Sequence, residues 1–255
     1  MQLKESLSNR KTAFVSGSNR GIGFSIIENL ASQGCNIFAH SRKKNSVFEK
    51  KINFLSKNYN VKIKPIYFDL ADTKKLKLEI SSLIKSQIAF DILVNSAGVI
   101  HGGLFQMTKI DTIKHIFDIN YFSMLEVTQL ICKTMVRKKR GSIINIASVA
   151  GIDLHEGNCA YGTSKAAMIA FSKTLSFEMR EHGIRVNVIA PSLTKTEMAN
   201  SREAEKEKSF LTLDKNPLNR MALPMEISNV VSFLALDMSS FITGEVIRVD
   251  GGNRF

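Results

Sequence analysis

The chain has 255 residues, of which 44% are hydrophobic, and its 35 lysines and arginines against 23 aspartates and glutamates leave a net charge of +12. This length and apolar content predict a single domain spanning residues 1–255. Three cysteines without metal-ligand or redox spacing argue against a disulfide framework and favour a reduced, cytoplasmic protein. No histidine pattern indicates a metal site, and no apolar run reaches the roughly 18 residues that span a bilayer, so neither a metal nor a membrane segment is predicted.

The N-terminal elements predict a binding site for an anion. Residues 12–16 form a short apolar run typical of a buried strand, and the glycine-rich segment from Gly17 to Gly23 leads into an apolar-periodic helix at residues 24–30. At such a turn, backbone N–H groups and a helix N-terminus are presented to an anion, and glycines let a pyrophosphate approach the backbone. The alternative is a glycine-rich turn that binds no ligand.

Further apolar, β-rich runs alternate with longer helical patterns along the chain. This alternation is typical of βαβ crossovers and predicts an α/β fold: a Rossmann-like, doubly wound parallel sheet with helices on both faces. Ligands bind such sheets at the carboxyl ends of the strands, so the polar residues that follow the strands are expected to share one cleft. The runs after the first are residues 36–39, 62–68, 91–94, 142–146 and 185–189.

The middle of the chain supplies a proton donor with a cation beside it. Tyr161 and Lys165 are four residues apart in a predicted helix, so their side chains project from the same face. A free tyrosine titrates near pH ~10, and a nearby ammonium favours its ionised form, which makes Tyr161 a usable acid. Ser148, in the same stretch, adds a hydroxyl that can orient a carbonyl. The three residues together predict the chemistry of a carbonyl reductase.

These motifs, in this order, resemble the short-chain dehydrogenase/reductase family over residues 11–252. The glycine turn is similar to the family's cofactor loop, and Asp69-Leu70 is similar to its adenine-contacting pair. The segment Asn95-Ser96-Ala97-Gly98 resembles its Asn-Asn-Ala-Gly strand end. Residues 190–196 resemble the segment that touches the nicotinamide. Because one motif alone is weak, the ordered set carries the resemblance.

The resemblance implies roles for individual residues. Tyr161 would protonate the developing alkoxide, Ser148 would bond to the same oxygen, and Lys165 would depress the pKa of Tyr161 and bind the nicotinamide ribose. Asn120 would hold a water that links Lys165 to solvent, with a helix residue bonded to backbone as the alternative. The implied cofactor-binding positions are Gly17, Ser18, Asn19, Arg20, Gly21, Ile22, Gly23, Ser41, Arg42, Asp69, Leu70, Asn95, Ala97, Gly98, Tyr161, Lys165, Pro191, Thr194 and Thr196.

The end of the second predicted strand selects the form of the nicotinamide cofactor. The sequence Ser-Arg-Lys-Lys at residues 41–44 has no carboxylate to repel a 2′-phosphate. Arg42 can bind that phosphate with two parallel N–H groups, and Arg20 in the glycine turn can clamp it from the other side. NADPH is therefore predicted, and the alternative is that residues 41–44 are a solvated basic turn.

Overall similarity within the family is greatest to 3-oxoacyl-acyl carrier protein reductases. It implies a homotetramer that uses NADPH to reduce an acyl-carrier-linked ketone in fatty acid synthesis. The net positive charge suits an acidic acyl carrier protein, and Arg137–Arg140 is the expected docking surface beside the active-site entrance. The alternative for this run is charge that complements a helix C-terminus. The basic residues do not form a patch interleaved with aromatic residues, so nucleic-acid binding is not predicted.

Residues 192–223 are polar and rich in charge, and they are the predicted substrate lid, with a solvated helix as the alternative. Two other functions stay open. One is a reductase or dehydrogenase of another small-molecule ketone or alcohol, such as a sugar, polyol or cyclic ketone. The other is a binding protein that kept the fold and lost the chemistry, because one fold hosts many functions.

Overall fold

The computed structural model describes residues 10–153, 155–200 and 216–252. The strands are β1 (Thr12–Val15), β2 (Asn36–Ser41), β3 (Ile63–Tyr67), β4 (Ile92–Asn95), β5 (Gly141–Ile146), β6 (Ile184–Pro191) and β7 (Val246–Val249). They form one sheet in the order β3-β2-β1-β4-β5-β6-β7, and every neighbouring pair is parallel. The predicted strands are confirmed to within one or two residues at each end.

Helices connect the strands and cover both faces of the sheet. They are α1 (Gly21–Ser32), α2 (Ser46–Asn58), α3 (Thr73–Lys85), α4 (Ile110–Phe117), α5 (Ser123–Lys138), α6 (Cys159–Met179) and α7 (Pro224–Ala235). Side-chain caps fix two of the helix starts: Asn45 accepts the N–H of Val47 at 2.9 Å, and Asp72 accepts that of Lys75 at 3.0 Å. A π-helical turn, Asp118–Phe122, joins α4 to α5.

The core lies in two layers, one on each side of the sheet. Successive residues of a strand point to opposite faces, so Ala13 and Val15 join the layer under α1, α2 and α7. Phe14, between them, joins the layer under α3, α5 and α6. Burial on both faces explains why the strands are continuous apolar runs without polar alternation. The predicted doubly wound fold is confirmed.

The strand order reverses between β1 and β4, where the chain crosses over to build the second half of the sheet. In doubly wound sheets this reversal opens a crevice at the carboxyl ends of the strands. Ser16 holds the two strand ends together here, because its hydroxyl accepts the N–H groups of Ser96 at 3.0 Å and Ala97 at 3.1 Å.

Some expectations fall partly outside the described ranges. Residues 201–215 of the lid predicted over residues 192–223 lie outside the described residues, as do both ends of the single domain predicted over residues 1–255. Within the described ranges, no group of three or more histidines, cysteines or carboxylates is arranged to hold a metal ion. None of the helices in those ranges combines the length and the apolar character needed to cross a bilayer.

Candidate active site

A cavity of about 340 Å³ opens at the carboxyl edge of the sheet, at the strand-order reversal. Most of the predicted catalytic and cofactor-binding residues line this cavity. Four of them do not: Ser18, Ser41, Asn95 and Asn120. The lining residues come from the segments after β1, β2, β3, β4, β5 and β6. One cleft therefore collects the predicted positions, as the parallel topology requires.

The glycine turn after β1 leaves no room for a side chain at two of its glycines, Gly17 and Gly23. A Cβ on Gly17 would lie 2.7 Å from the Cα of Ala97, and one on Gly23 would lie 2.2 Å from the carbonyl oxygen of Gly17. Gly17 also has a φ of +66°, which favours glycine. The glycines at positions 17, 21 and 23 line the cavity, so the turn presents backbone without side chains at these three positions, which suits a pyrophosphate at the start of α1.

Ser18 fastens the turn from below. Its N–H and its hydroxyl both donate to the carbonyl oxygen of His40, each at 2.9 Å, and the side chain is buried. Asn95 has a comparable structural position, because its amide donates to the side-chain oxygen of Asn145 at 2.8 Å and to the hydroxyl of Thr128 at 3.0 Å. These two predicted cofactor positions support the site from behind the cavity lining.

His40 is a cavity residue that the sequence reasoning missed. Its Nε2 lies 2.9 Å from the carbonyl oxygen of Phe68, and its Nδ1 accepts the N–H of Gly17 at 3.3 Å. A carbonyl can only accept, so the proton is on Nε2 and Nδ1 is free to accept. Burial lowers the pKa of His40 to about 4, although the Phe68 carbonyl and the charge of Asp69 act in the opposite direction. A neutral imidazole therefore joins the glycine turn to the end of β3.

No local signal in the sequence could have found His40, because its two partners are 23 and 28 residues away. Its place at the end of an apolar strand marks it as buried and no more. Two nearby residues with predicted cofactor roles, Arg42 and Asp69, line the cavity. Ser41 is buried, and its hydroxyl bonds to the carbonyl oxygen of Lys43 at 3.2 Å.

Tyr161 and Lys165 lie one turn apart on α6, and both line the cavity. The Nζ of Lys165 is 5.9 Å from the centre of the Tyr161 ring and donates to the carbonyl oxygen of Ile146 at 2.9 Å. Burial lowers the pKa of Lys165 to about 8, so the group is still mostly charged at neutral pH. A cation is therefore held beside the Tyr161 ring.

Two glycines let the segment that carries Ser148 pack directly onto α6. A Cβ on Gly151 would lie 2.7 Å from the carbonyl carbon of Lys165, and one on Gly162 would lie 2.7 Å from the carbonyl oxygen of Ala150. The Ser148 hydroxyl accepts the N–H of Ala150 at 3.2 Å and lines the cavity. The close packing therefore brings the serine hydroxyl and the Tyr161–Lys165 pair to the same wall.

Asn120 lies in the π-helical turn and is fully buried. Its Oδ1 accepts the N–H of Val99 at 2.8 Å, and its Nδ2 donates to the carbonyl oxygen of Val99 at 2.9 Å and to the hydroxyl of Ser164 at 3.0 Å. A Cβ on Gly98 would lie 3.2 Å from the Asn120 Oδ1 and 3.4 Å from the Lys165 Nζ, so both groups face that glycine. Asn120 thus fixes the segment after β4 against α6.

The segment after β6 completes the cavity. Pro191, Thr194 and Thr196 line it, and Thr194 pairs with Ala222 in an isolated parallel bridge. Beyond Ser148, the wall is anchored to β7, because Arg248 binds both carboxylate oxygens of Asp153 at 2.9 and 2.7 Å. The mouth of the cavity is charged, with the Nη1 of Arg20 placed 3.0 Å from the Oε2 of Glu197.

The basic run Arg137–Arg140 lies at the opposite edge of the sheet. It precedes the first residue of β5, and Lys138 and Arg140 bind the buried carboxylate of Asp91 at 2.5 and 3.1 Å. The six residues of β5 span about 20 Å, which separates this edge from the cavity. Within a single subunit, the expectation that the run lies beside the active-site entrance is therefore wrong. Because α5 runs antiparallel to the strands, its C-terminal end lies at the amino ends of the strands, away from the cavity.

Comparisons with known proteins agree with this geometry. A family model described as Enoyl-(Acyl carrier protein) reductase matches residues 17–254. The 3-oxoacyl-[acyl-carrier-protein] reductase FabG of Chlamydia trachomatis is 32% identical over 242 residues, covering 95% of this chain and 96% of that protein. The protein of the same name from Escherichia coli is 31% identical over 242 residues, with coverages of 95% and 96%. A solved structure described as ElxO with NADP bound has a TM-score of 0.84 and 26% identity, covering 96% of this chain and 98% of that one.

Proposed function

Because the chain belongs to the short-chain dehydrogenase/reductase family, we propose that it reduces 3-oxoacyl-acyl carrier protein to the 3-hydroxyacyl form with NADPH, in fatty acid synthesis. One observation carries the proposal. Tyr161, buried Lys165 and Ser148 line the same cavity as the glycines of the turn after β1. Full-length similarity to reductases of that name supports the choice of substrate.

The residues of the cavity fit an NADP cofactor. The glycine turn offers its backbone to the pyrophosphate, Arg42 and Arg20 offer guanidinium groups to the 2′-phosphate, and Asp69 with Leu70 line the region of the adenine. A related structure with NADP bound supports this assignment. When bound, NADPH supplies the hydride that adds to the carbonyl carbon.

The side chains of Tyr161, Ser148 and Lys165, which form the catalytic wall of the cavity, would stabilise and protonate the carbonyl oxygen. As the carbon is reduced, its oxygen gains negative charge, and the hydroxyl of Tyr161 donates its proton to that oxygen. Ser148 donates a hydrogen bond to the same oxygen and so stabilises the developing charge. The ammonium of Lys165 would stabilise the tyrosinate that remains. Asn120 keeps the segment after β4 in register with α6, and a water near Lys165 would return the proton.

We also propose that the protein works as a homotetramer in the cytoplasm. Packing of α5 and α6 against their copies would cover two exposed aromatic residues: Phe122, 52% exposed in the turn before α5, and Phe177, 69% exposed on α6. The free thiols of Cys35, Cys132 and Cys159 support a reducing compartment.

Assembly would also change which active site lies near the basic run Arg137–Arg140. If α5 and α6 pack against their copies about a two-fold axis, the helices of the two subunits run antiparallel. The α5 helix has 16 residues and is about 24 Å long. Arg137–Arg140 of one subunit would then lie level with the cavity of the partner, where an acidic acyl carrier protein could dock.

The test is oxidation of NADPH by the purified protein with an acetoacetyl group on acyl carrier protein. Parallel reactions use NADH, a 2-enoyl thioester on the same carrier, and a set of sugar and cyclic ketones. Turnover with the 3-oxoacyl substrate and NADPH is the expected result. Turnover with only the enoyl substrate or another ketone would be consistent with the proposed cofactor but would reject 3-oxoacyl-acyl carrier protein as the substrate. Tight NADPH binding without turnover on any of them would favour a binding protein.

A further inference from the structure

An ion pair crosses the mouth of the cavity, between the glycine turn and the segment that follows β6. The Nη1 of Arg20 is 3.0 Å from the Oε2 of Glu197, and both residues line the cavity. The two segments also touch beside the pair, because a Cβ on Gly21 would lie 3.2 Å from the Cγ2 of Thr196. Glu197 is the one acidic residue among residues 192–200. The fold therefore brings a single carboxylate to the arginine of the turn.

The two arginines of the mouth differ in their partners. Among the residues that the structure describes, no carboxylate lies within ion-pair distance of Arg42, whereas Arg20 holds Glu197. Under the proposed function, both guanidinium groups would serve the 2′-phosphate of NADPH. Carboxylates and phosphates use the same N–H donors of a guanidinium group, so Glu197 and the phosphate compete for Arg20.

We propose that Glu197 is a specificity-determining residue that competes with the 2′-phosphate of the cofactor for Arg20. The proposal rests on the proposed function, since it requires an NADP cofactor. Binding of the phosphate transfers Arg20 from the carboxylate to the phosphate and leaves Glu197 to water. The Arg20 and Glu197 side chains are 57% and 71% exposed, so the pair is weak and screened by salt. Loss of the Glu197 charge should therefore tighten phosphate binding by a modest factor, about two- to fivefold.

The experiment is calorimetric titration of the full-length protein with adenosine 2′,5′-bisphosphate and, separately, with adenosine 5′-monophosphate. Glu197→Gln removes the charge and keeps the shape of the side chain. Glu181→Gln is the matched control, because it removes one exposed charge at the far edge of the sheet. The expected result is that Glu197→Gln tightens the bisphosphate about two- to fivefold and leaves the monophosphate unchanged. Glu181→Gln should change neither, and high salt should abolish the effect.

A second pair of variants tests whether Arg20 transmits the effect. In an Arg20→Gln background, adding Glu197→Gln should no longer tighten the bisphosphate. Equal tightening of both nucleotides, or tightening that persists without Arg20, would overturn the proposal by showing a general charge effect. Unchanged bisphosphate binding in Glu197→Gln would also overturn it. If the wild-type protein binds the monophosphate as tightly as the bisphosphate, the NADP assignment fails first, and the competition proposal falls with it.

Discussion

The catalytic wall and the mouth of the cavity are held in place in different ways. On the catalytic wall, Lys165 is buried and bonded to a backbone carbonyl, and the Ser148 segment packs against α6 without space for a methyl group at Gly151. At the cofactor mouth, Arg20 and Glu197 are mostly exposed and meet as a solvated ion pair. Changes on the first wall should act through geometry and pKa, and should be large and insensitive to salt. Changes at the second should act through screened charge, and should be smaller and salt-dependent.

Removing the acid of the catalytic wall should have the largest effect. In Tyr161→Phe the ring keeps its packing, but no proton reaches the carbonyl oxygen, so kcat should fall by roughly a hundred- to ten-thousandfold. The affinity for NADPH, measured by fluorescence titration, should be nearly unchanged. Tyr59→Phe, at the end of α2 and outside the cavity, is the control and should keep full activity. A Tyr161→Phe enzyme with most of its turnover would refute the assignment.

His40 contacts the glycine turn on the cofactor side of the cavity, but it is buried like Lys165. It therefore tests whether burial, and not position in the cavity, decides how a residue contributes. Its pKa is lowered to about 4 by burial, against about 6.5 in the unfolded chain. Between these values the unfolded chain binds a proton that the folded protein does not. Stability should therefore fall as the pH drops from 6.5 towards 4, by about 2 kcal/mol between pH 7 and pH 5.

His40→Gln should remove this contribution, because glutamine does not titrate. Urea unfolding at pH 7 and at pH 5 measures it, and the loss on acidification should be about 2 kcal/mol smaller in the variant than in the wild type. His115→Gln, at an exposed position on α4, is the matched control. If both variants lose stability on acidification as the wild type does, His40 is not held neutral in the folded protein.

Arg42, the arginine at the cavity mouth that is not paired with Glu197, should determine the preference for NADPH over NADH. Arg42→Gln removes charge-assisted hydrogen bonds to the 2′-phosphate, so the Kd for NADPH should rise about ten- to hundredfold while that for NADH changes little. The effect should shrink as salt concentration increases, unlike that of Tyr161→Phe. Lys43→Gln removes an exposed charge next door and is the control. Equal losses for both cofactors would mean that Arg42 does not bind the phosphate.

The smallest effect is expected at the edge of the sheet opposite the cavity. Reversing Arg137 and Lys139 to glutamate should raise the KM for a carrier-linked substrate several-fold and leave that for a small free thioester unchanged. Lys138 is unsuitable for this test, because it also stabilises the buried carboxylate of Asp91.

A double reversal at Lys50 and Lys57, exposed on α2, controls for net charge. It should leave the KM of the carrier-linked substrate unaffected. A change in KM that is equal for carrier-linked and free thioesters would reject docking at Arg137–Arg140.

Local spacing was enough to predict the fold and the edge of the sheet where the cavity lies, whereas most of the individual lining residues were implied by the family resemblance. The four-residue separation of Tyr161 and Lys165 places both on one helix face, and apolar runs separated by helices place the strand ends at one edge. The same reasoning predicted the glycine turn, whose glycines at positions 17 and 23 have no room for a Cβ. The catalytic and cofactor roles of these residues stay predictions until the variants are measured.

The tertiary structure decided the relations between residues distant in sequence. Glu197 meets Arg20 across 177 positions, and His40 joins Gly17 to Phe68, contacts that depend on how the strands are ordered and where their loops end. The edge on which Arg137–Arg140 lies follows from the direction of α5 across the sheet. Sequence by itself determined which residues could do chemistry, because helical and strand periods are local. Only the packed sheet decided which charges and hydrogen-bond partners meet, because those contacts form between segments that the sequence keeps apart.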